Sequence, residues 1–246
     1  GFSNDIACFA AWADRIFTLG PGQFYSAEMF TDYPPGFMYV LYLIGALRSL
    51  LQIPYYSDLH ILLLKLPAIL CDIACGFLLY REAVKRLHFS DLQGIFAASA
   101  YLFQPAVILN SSCWGQVDSV YTLMIILMCL FLMKGNLLPA YAVYGLGVLL
   151  KPQMLIFTPV LLAGIWDHVF LQDFSWRKFF YNLCGGLVVI CGMLLLCAPF
   201  GLTAAISQYT STLGSYEYAA INAYNFWGLL GMNWVDQNTI FLFLPC

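Results

Sequence analysis

Long apolar runs with almost no charge inside them constrain this chain more than any other feature. They cover 37–53, 59–80, 92–109, 119–133, 137–150, 154–170 and 183–200. A helix that crosses a bilayer needs about 20 mostly apolar residues, and several runs approach that length. Alternation with period two is absent, which argues against a membrane β-barrel. Hydrophobic residues make up 62% of the 246 and charged residues 9%. A soluble domain has about 45–50% and about 25%, and its surface needs polar cover that this chain does not have. An ordinary cytosolic enzyme, a nucleic-acid binder and a disordered tail are therefore excluded. The solvent is a bilayer, and the net charge of −3 says less than where the charges sit.

The cysteines show no metal-like spacing. Cys71 and Cys75 share a helix face within an apolar run and read as small hydrophobes. Neither a disulfide framework nor a redox compartment follows from the set. Gly1–Asp5 reads as the middle of a loop and Thr239–Cys246 as the start of another apolar helix. The expectation is a fragment of a longer membrane protein.

Positive charge faces the cytosol. Arg81, Lys85 and Arg86 lie in one loop, Lys134 in a tight turn, and Arg177 and Lys178 in a later loop. With all of these inside, the outer face receives residues 1–58, 110–118, the turn at Lys151 and 201–234. Run 37–53 then has both connections outside. Either it is interfacial or re-entrant, which Arg48 favours, or it is an ordinary span and the N-terminal region inverts.

Charges at membrane depth cost about 2.5–3.5 kcal/mol on insertion scales. Lys65 and Asp72 lie seven apart, on one helical stripe. Either each finds a partner on a neighbouring helix, or Lys65 points up into an outer cavity. The other unusual polar residues gather in the outer segments. In TDYPPG, Pro34 and Pro35 stop any preceding helix and extend Tyr33. In NSSCWGQVDS, Trp114 is either an interfacial anchor or a sugar-stacking ring with Gln116 and Asp118 bonding hydroxyls. Asn110-Ser111-Ser112 is a glycosylation sequon too close to the bilayer to expect use. In LLKPQ, Pro152 marks a helix junction. Lys151 there is either a snorkelling lysine or a partner for a phosphate at headgroup depth. The segment 201–234 is rich in Tyr, Asn, Ser and Trp, suiting a carbohydrate site or an interfacial loop. A transporter would instead place polarity at the midplane on broken helices.

The ordered set NDIACFAAWADRI, DYPPG, KLPAILCDI, SSCWGQVDSVYTL, LLKPQ and INAYNFWGLLG resembles the C-type (GT-C) integral-membrane glycosyltransferases. More narrowly, it is similar to bacterial relatives of the second mannosyltransferase of GPI-anchor assembly. The resemblance implies an all-α, polytopic transmembrane helix bundle with outer-face juxtamembrane helices, here lacking terminal spans. It divides as 1–58, first outer loop; 59–200, helical core of about six spans; 201–234, outer loop; and 235–246, start of a further span. It implies a multi-pass protein of the bacterial plasma membrane, with membrane lipid as surroundings and no nucleic-acid partner.

The implied reaction moves a sugar, expected to be mannose, from a polyprenyl-phosphate donor to a hydroxyl of a lipid-linked glycan or a protein. The first-loop acid of the family matches Asp5, as general base, and a second-loop acid matches Asp118. Lys151 and Lys65 are the expected donor-phosphate cations. Asp32, Tyr33, Trp114, Gln116, Gln153, Asn222, Asn225 and Trp227 are the expected substrate-binding residues. One base with direct displacement implies inversion; two flanking carboxylates would be the other arrangement. No ligand cluster requires a metal or other cofactor, although a divalent ion held by Asp5 and Asp118 stays open, as some members of the superfamily use one. The competing classes are a multi-pass transporter of a small or lipid-linked solute, a structural subunit, and a polymerase or ligase of cell-surface glycans.

Overall fold

The computed structural model describes residues 2–25, 30–172, 174–214, 218, 220, 226–236, 240–241 and 244–245. It is helical almost throughout. Residues 1–205 form one compact unit and residues 206–246 a second.

The first unit opens with α1 (Phe2–Leu19) and α2 (Pro35–Leu50). Pro34 is extended, at φ −73 and ψ 169, and Pro35 is the first helical residue. The missing amide of Pro35 costs nothing there, because a first-turn N–H has no intrahelical partner. Next come α3 (Asp58–Lys85) and α4 (Asp91–Leu102). Ser57 caps α3 and a Ser90–Gln93 capping box starts α4. The expected run 92–109 is not one straight helix. It bends by 46° between α4 and α5 (Pro105–Trp114), because Pro105 cannot donate to the α4 ladder and drives Gln104 to extended geometry. From Ile108 to Trp114, α5 is π-helical.

Helices α6 (Asp118–Met133) and α7 (Leu137–Leu150) pack as an antiparallel pair. The chain leaves α7 at Lys151, which is extended, and Pro152 starts α8 (Pro152–Leu171). Pro152 is thus the junction its position in the sequence indicates. Helix α9 (Trp176–Phe200) starts seven residues before the expected run.

Among the described residues three helices, α3, α8 and α9, are long and apolar enough to cross a membrane, and four if the bent α4–α5 pair counts as one. This is the architecture of a membrane protein. Helices α6 and α7 are apolar but have 16 and 14 residues, about 24 and 21 Å at 1.5 Å per residue, against about 30 Å of hydrocarbon.

The bundle has two chemically different ends. Arg81, Lys85, Arg86 and Lys134 surround one hollow, so the last turns of α3 and α6 share an end. Asp118 starts α6 and therefore lies at the other. Helix α2 starts at that second end, where Gly36 abuts the last turn of α7, and its C-terminal Arg48 pairs with Asp14 of α1. A Cβ at Gly36 would stand 2.5 Å from the Leu149 carbonyl oxygen, so only glycine allows this approach. The main core lies between α1 and α2, where Phe9, Trp12, Phe37, Met38 and Leu41 are buried. The stretch 1–58 is therefore packed as part of the first unit.

Helix α10 (Leu202–Gly214) runs from the first unit into the second. The second unit also holds α11 (Phe226–Leu229) and a two-residue antiparallel strand pair, Ile240–Phe241 with Leu244–Pro245.

Candidate active site

At the end of the bundle opposite the basic residues, four segments of the first unit converge. Helix α1 supplies Asp5, the segment before α2 supplies Asp32 and Tyr33, the α5–α6 connection supplies Trp114, Gln116 and Asp118, and the α7–α8 junction supplies Lys151. Two junctions make this convergence possible. Gly115 ends the π-helical turn at φ 82 and ψ 21, a left-handed conformation that glycine adopts without steric penalty. Pro152 breaks α7 from α8, leaving Lys151 extended.

Asp5 is half-buried. Its Oδ2 accepts hydrogen bonds from the indole Nε1 of Trp114 and, at 2.7 Å, from Nε2 of Gln116. Its Oδ1 has no partner among the described residues. The Gln116 Oε1 accepts a longer bond, 3.4 Å, from the Tyr33 hydroxyl. Tyr33 is buried against Phe9, Trp12 and Phe37. A rigid aromatic block thus fixes the amide that fixes the carboxylate. Cys8, one turn along α1, has its thiol pKa raised first by burial and then by the charges of Asp5 and Asp32. Both acids therefore lie close enough to act on one sulfur.

Asp118 makes an ion pair with Lys151 through Oδ1 and accepts a 2.9 Å bond from Asn110 Nδ2 through Oδ2. The Lys151 ammonium also stands 5.7 Å from the Tyr33 ring centroid and 5.6 Å from that of Tyr121, within the range of cation–π attraction. Lys151 is the more buried partner, with 13% of its side chain exposed against 35% for Asp118. Tyr33 thus stands between the Asp5 cluster and the Asp118–Lys151 pair.

The structure gives the expected cations partners within the chain: Lys151 pairs with Asp118. Lys65 also has partners. Its Nζ donates to the carbonyls of Ser112 at 2.9 Å and Cys113 at 3.1 Å, closing the end of α5, where carbonyls carry partial negative charge. Asp72 likewise finds a neighbour, accepting a 3.0 Å bond from the Tyr101 hydroxyl. The Trp114 indole N–H is spent on Asp5. Gln153 is exposed on the first turn of α8. Trp227 is half-buried in α11 of the second unit, while Asn222 and Asn225 lie outside the described residues.

Two members of the cluster are missing from the sequence reading. Asn110 appears there only as a sequon, yet its amide holds Asp118. Tyr121 lies one turn after Asp118, so its place on the same face was readable from i, i+3 spacing. Among the described residues, no three His, Cys, Asp or Glu side chains gather as a metal would require.

The arrangement offers a half-buried carboxylate with one oxygen that has no partner among the described residues, a cation held close by, and indole, phenol and amide groups around them. Such a set can accept a proton from a hydroxyl and stabilise an anion. Comparison with protein-family models, curated proteins and solved structures gives no match.

Proposed function

We propose that this protein is a membrane glycosyltransferase of the C-type, moving a sugar from a polyprenyl-phosphate donor to a hydroxyl acceptor at the face opposite the basic end. The observation that carries the reading is Asp5: one carboxylate oxygen is fixed by Trp114 and Gln116, and the other makes no bond among the described residues. A general base needs such an oriented, unoccupied oxygen within reach of the proton it removes. The sequence resemblance adds the sugar class, with mannose the expected unit.

In the proposed step the acceptor oxygen attacks the anomeric carbon and its proton passes to Asp5 Oδ1. The anomeric carbon–phosphate oxygen bond breaks as the new bond forms, and the electron pair leaves on the polyprenyl phosphate. Direct displacement inverts the anomeric centre. Lys151 is the cation for the departing phosphate, with Asp118 holding the ammonium in place before the donor arrives. The pairing argues against Asp118 as the base, since it would first have to give up Lys151. Lys65 supports the loop rather than the phosphate.

The test is Asp5→Asn in the full-length protein, assayed with radiolabelled polyprenyl-phosphate mannose. An asparagine side-chain oxygen still accepts from Trp114 and Gln116, so the fold persists. Transfer falls by about 10²–10⁴-fold. Near-normal transfer removes Asp5 from the base role.

One feature favours a second reading, a transporter. The 46° break between α4 and α5 is the kind of discontinuous helix on which transporters build sites. Substrate counterflow in proteoliposomes lacking any sugar-lipid would support that reading over transfer.

A further inference from the structure

At the basic end, the last turns of α3 and α6 enclose a hollow of about 520 Å³ lined by Arg81, Glu82, Lys85, Arg86, Met133 and Lys134. Four cations and one acid face it. Glu82 is already spent on Arg81, whose Nη2 lies 2.7 Å from its Oε1. Lys85, Arg86 and Lys134 are exposed and have no carboxylate partner among the described residues. Asp91, the next acid along the chain, accepts from the Tyr80 hydroxyl at 2.9 Å.

A helix C-terminus favours a cation on its own account, which explains one such residue per helix. It does not explain four cations from two helices around a single concave space. Like charges brought together repel unless an anion joins them, and arginine presents a planar fork that suits phosphate oxygens. An apolar residue lines the same hollow, the exposed Met133, and the exposed Leu87 and Phe89 follow Arg86 in the chain. A ligand here meets cations at its head and hydrocarbon-compatible surface alongside.

We infer that this hollow binds the phosphate headgroup of an anionic phospholipid from the adjacent leaflet. The site is separate from the chemistry proposed at the other end and stands whether or not that reading survives. A headgroup lying between α3 and α6 would tie their ends together and so stabilise the bundle.

The full-length protein is placed in phosphatidylcholine nanodiscs, and its thermal midpoint is followed as phosphatidylglycerol replaces part of the lipid. The midpoint rises and saturates. In Lys85→Gln, Arg86→Gln and Lys134→Gln, half-saturation moves to higher phosphatidylglycerol by about fivefold per cation. The double variant Arg177→Gln/Lys178→Gln, elsewhere in the chain, leaves the curve unchanged. An equal shift in that double variant overturns the site in favour of general leaflet charge. Inorganic phosphate reproducing the rise in neutral detergent overturns the lipid assignment. Native mass spectrometry of the unsubstituted protein reads the same binding without variants: retained phosphatidylglycerol supports it, and equal retention of phosphatidylcholine overturns it.

Discussion

Lys151 and Asp118, 33 residues apart, form an ion pair that ties the α7–α8 junction to the start of α6. The two charges are unequally sheltered, and that asymmetry makes a prediction. Asp118→Asn leaves an ammonium that is 13% exposed without its counter-charge. Lys151→Met leaves a more exposed carboxylate that still accepts from Asn110. An unpaired buried charge costs about 3–5 kcal/mol and a surface pair about 0–1. Asp118→Asn should therefore cost about 2 kcal/mol and Lys151→Met about 1 kcal/mol. Thermal unfolding in detergent checks the order. Equal losses, or a larger loss for Lys151→Met, would show that the pair is not arranged as described.

Gly115 sits at φ 82, and a Cβ there would collide with the Ile6 side chain. Gly115→Ala combines left-handed strain of about 1–2 kcal/mol with displacement of α1, one residue from Asp5. The variant should lose both stability and transfer activity. Adding Ile6→Ala removes the collision but not the strain, so the double variant should regain activity in part. Full activity in the single variant would mean that Gly115 does not set the position of Asp5.

What the sequence made legible and what it hid divide along physical lines. Apolar runs are local in composition, so α2, α6, α7 and α8 could be placed within a few residues, and Pro34, Pro35 and Pro152 marked their junctions; α1, whose start reads as a loop, and the first seven residues of α9 lie outside the runs. Pro105 was equally visible but lay among apolar neighbours, and hydropathy masked the break it makes. The destinations of Lys65 and Lys151 could not be read. Each depends on where a different helix ends: α5 presents carbonyls to Lys65, and α6 starts with the acid that takes Lys151. Asn110 escaped because the π-helical turn carries it back toward Asp118, a geometry with no sequence spacing of its own.

Asp72 tests how much a single partner matters inside the bundle. It is 5% exposed, Tyr101 donates to one oxygen, and the other oxygen, Oδ2, is buried without a partner among the described residues. Tyr101→Phe removes the donor and should cost about 2–4 kcal/mol. Asp72→Asn should restore much of that loss in the double variant, because a neutral amide is cheaper to bury than a carboxylate. Additive losses in the thermal midpoints would argue that the two side chains are not coupled.

The Cys8 thiol carries a pH signature. Burial, then Asp5 and Asp32, raise its pKa above the ordinary thiol value. Only the thiolate reacts with alkylating agents, so Cys8 should react more slowly at neutral pH than an unperturbed cysteine, gaining rate as pH rises past its own elevated pKa. Neutralising both acids as Asp5→Asn/Asp32→Asn removes the Coulomb contribution and leaves the burial. The midpoint of the alkylation profile should then fall but stay above the ordinary value. The measurement needs a protein with Cys8 as its one cysteine. An unchanged midpoint would place the acids too far from the sulfur to act on it.

Sidedness follows from the two ends of the bundle. Cys113 is exposed beside Trp114 and Asp5, while Lys134 lies at the far end of α6. If the basic end faces the cytosol, a membrane-impermeant maleimide should label a Cys113-only protein from outside intact cells. A protein whose one cysteine is Lys134→Cys should label only in inverted vesicles. The reverse pattern would turn the protein over in the membrane and place the Asp5 cluster on the cytosolic side. Labelling of both positions from the same side would contradict a bundle that crosses the bilayer between them, and with it the argument that one leaflet presents the carboxylate while the other presents the cations.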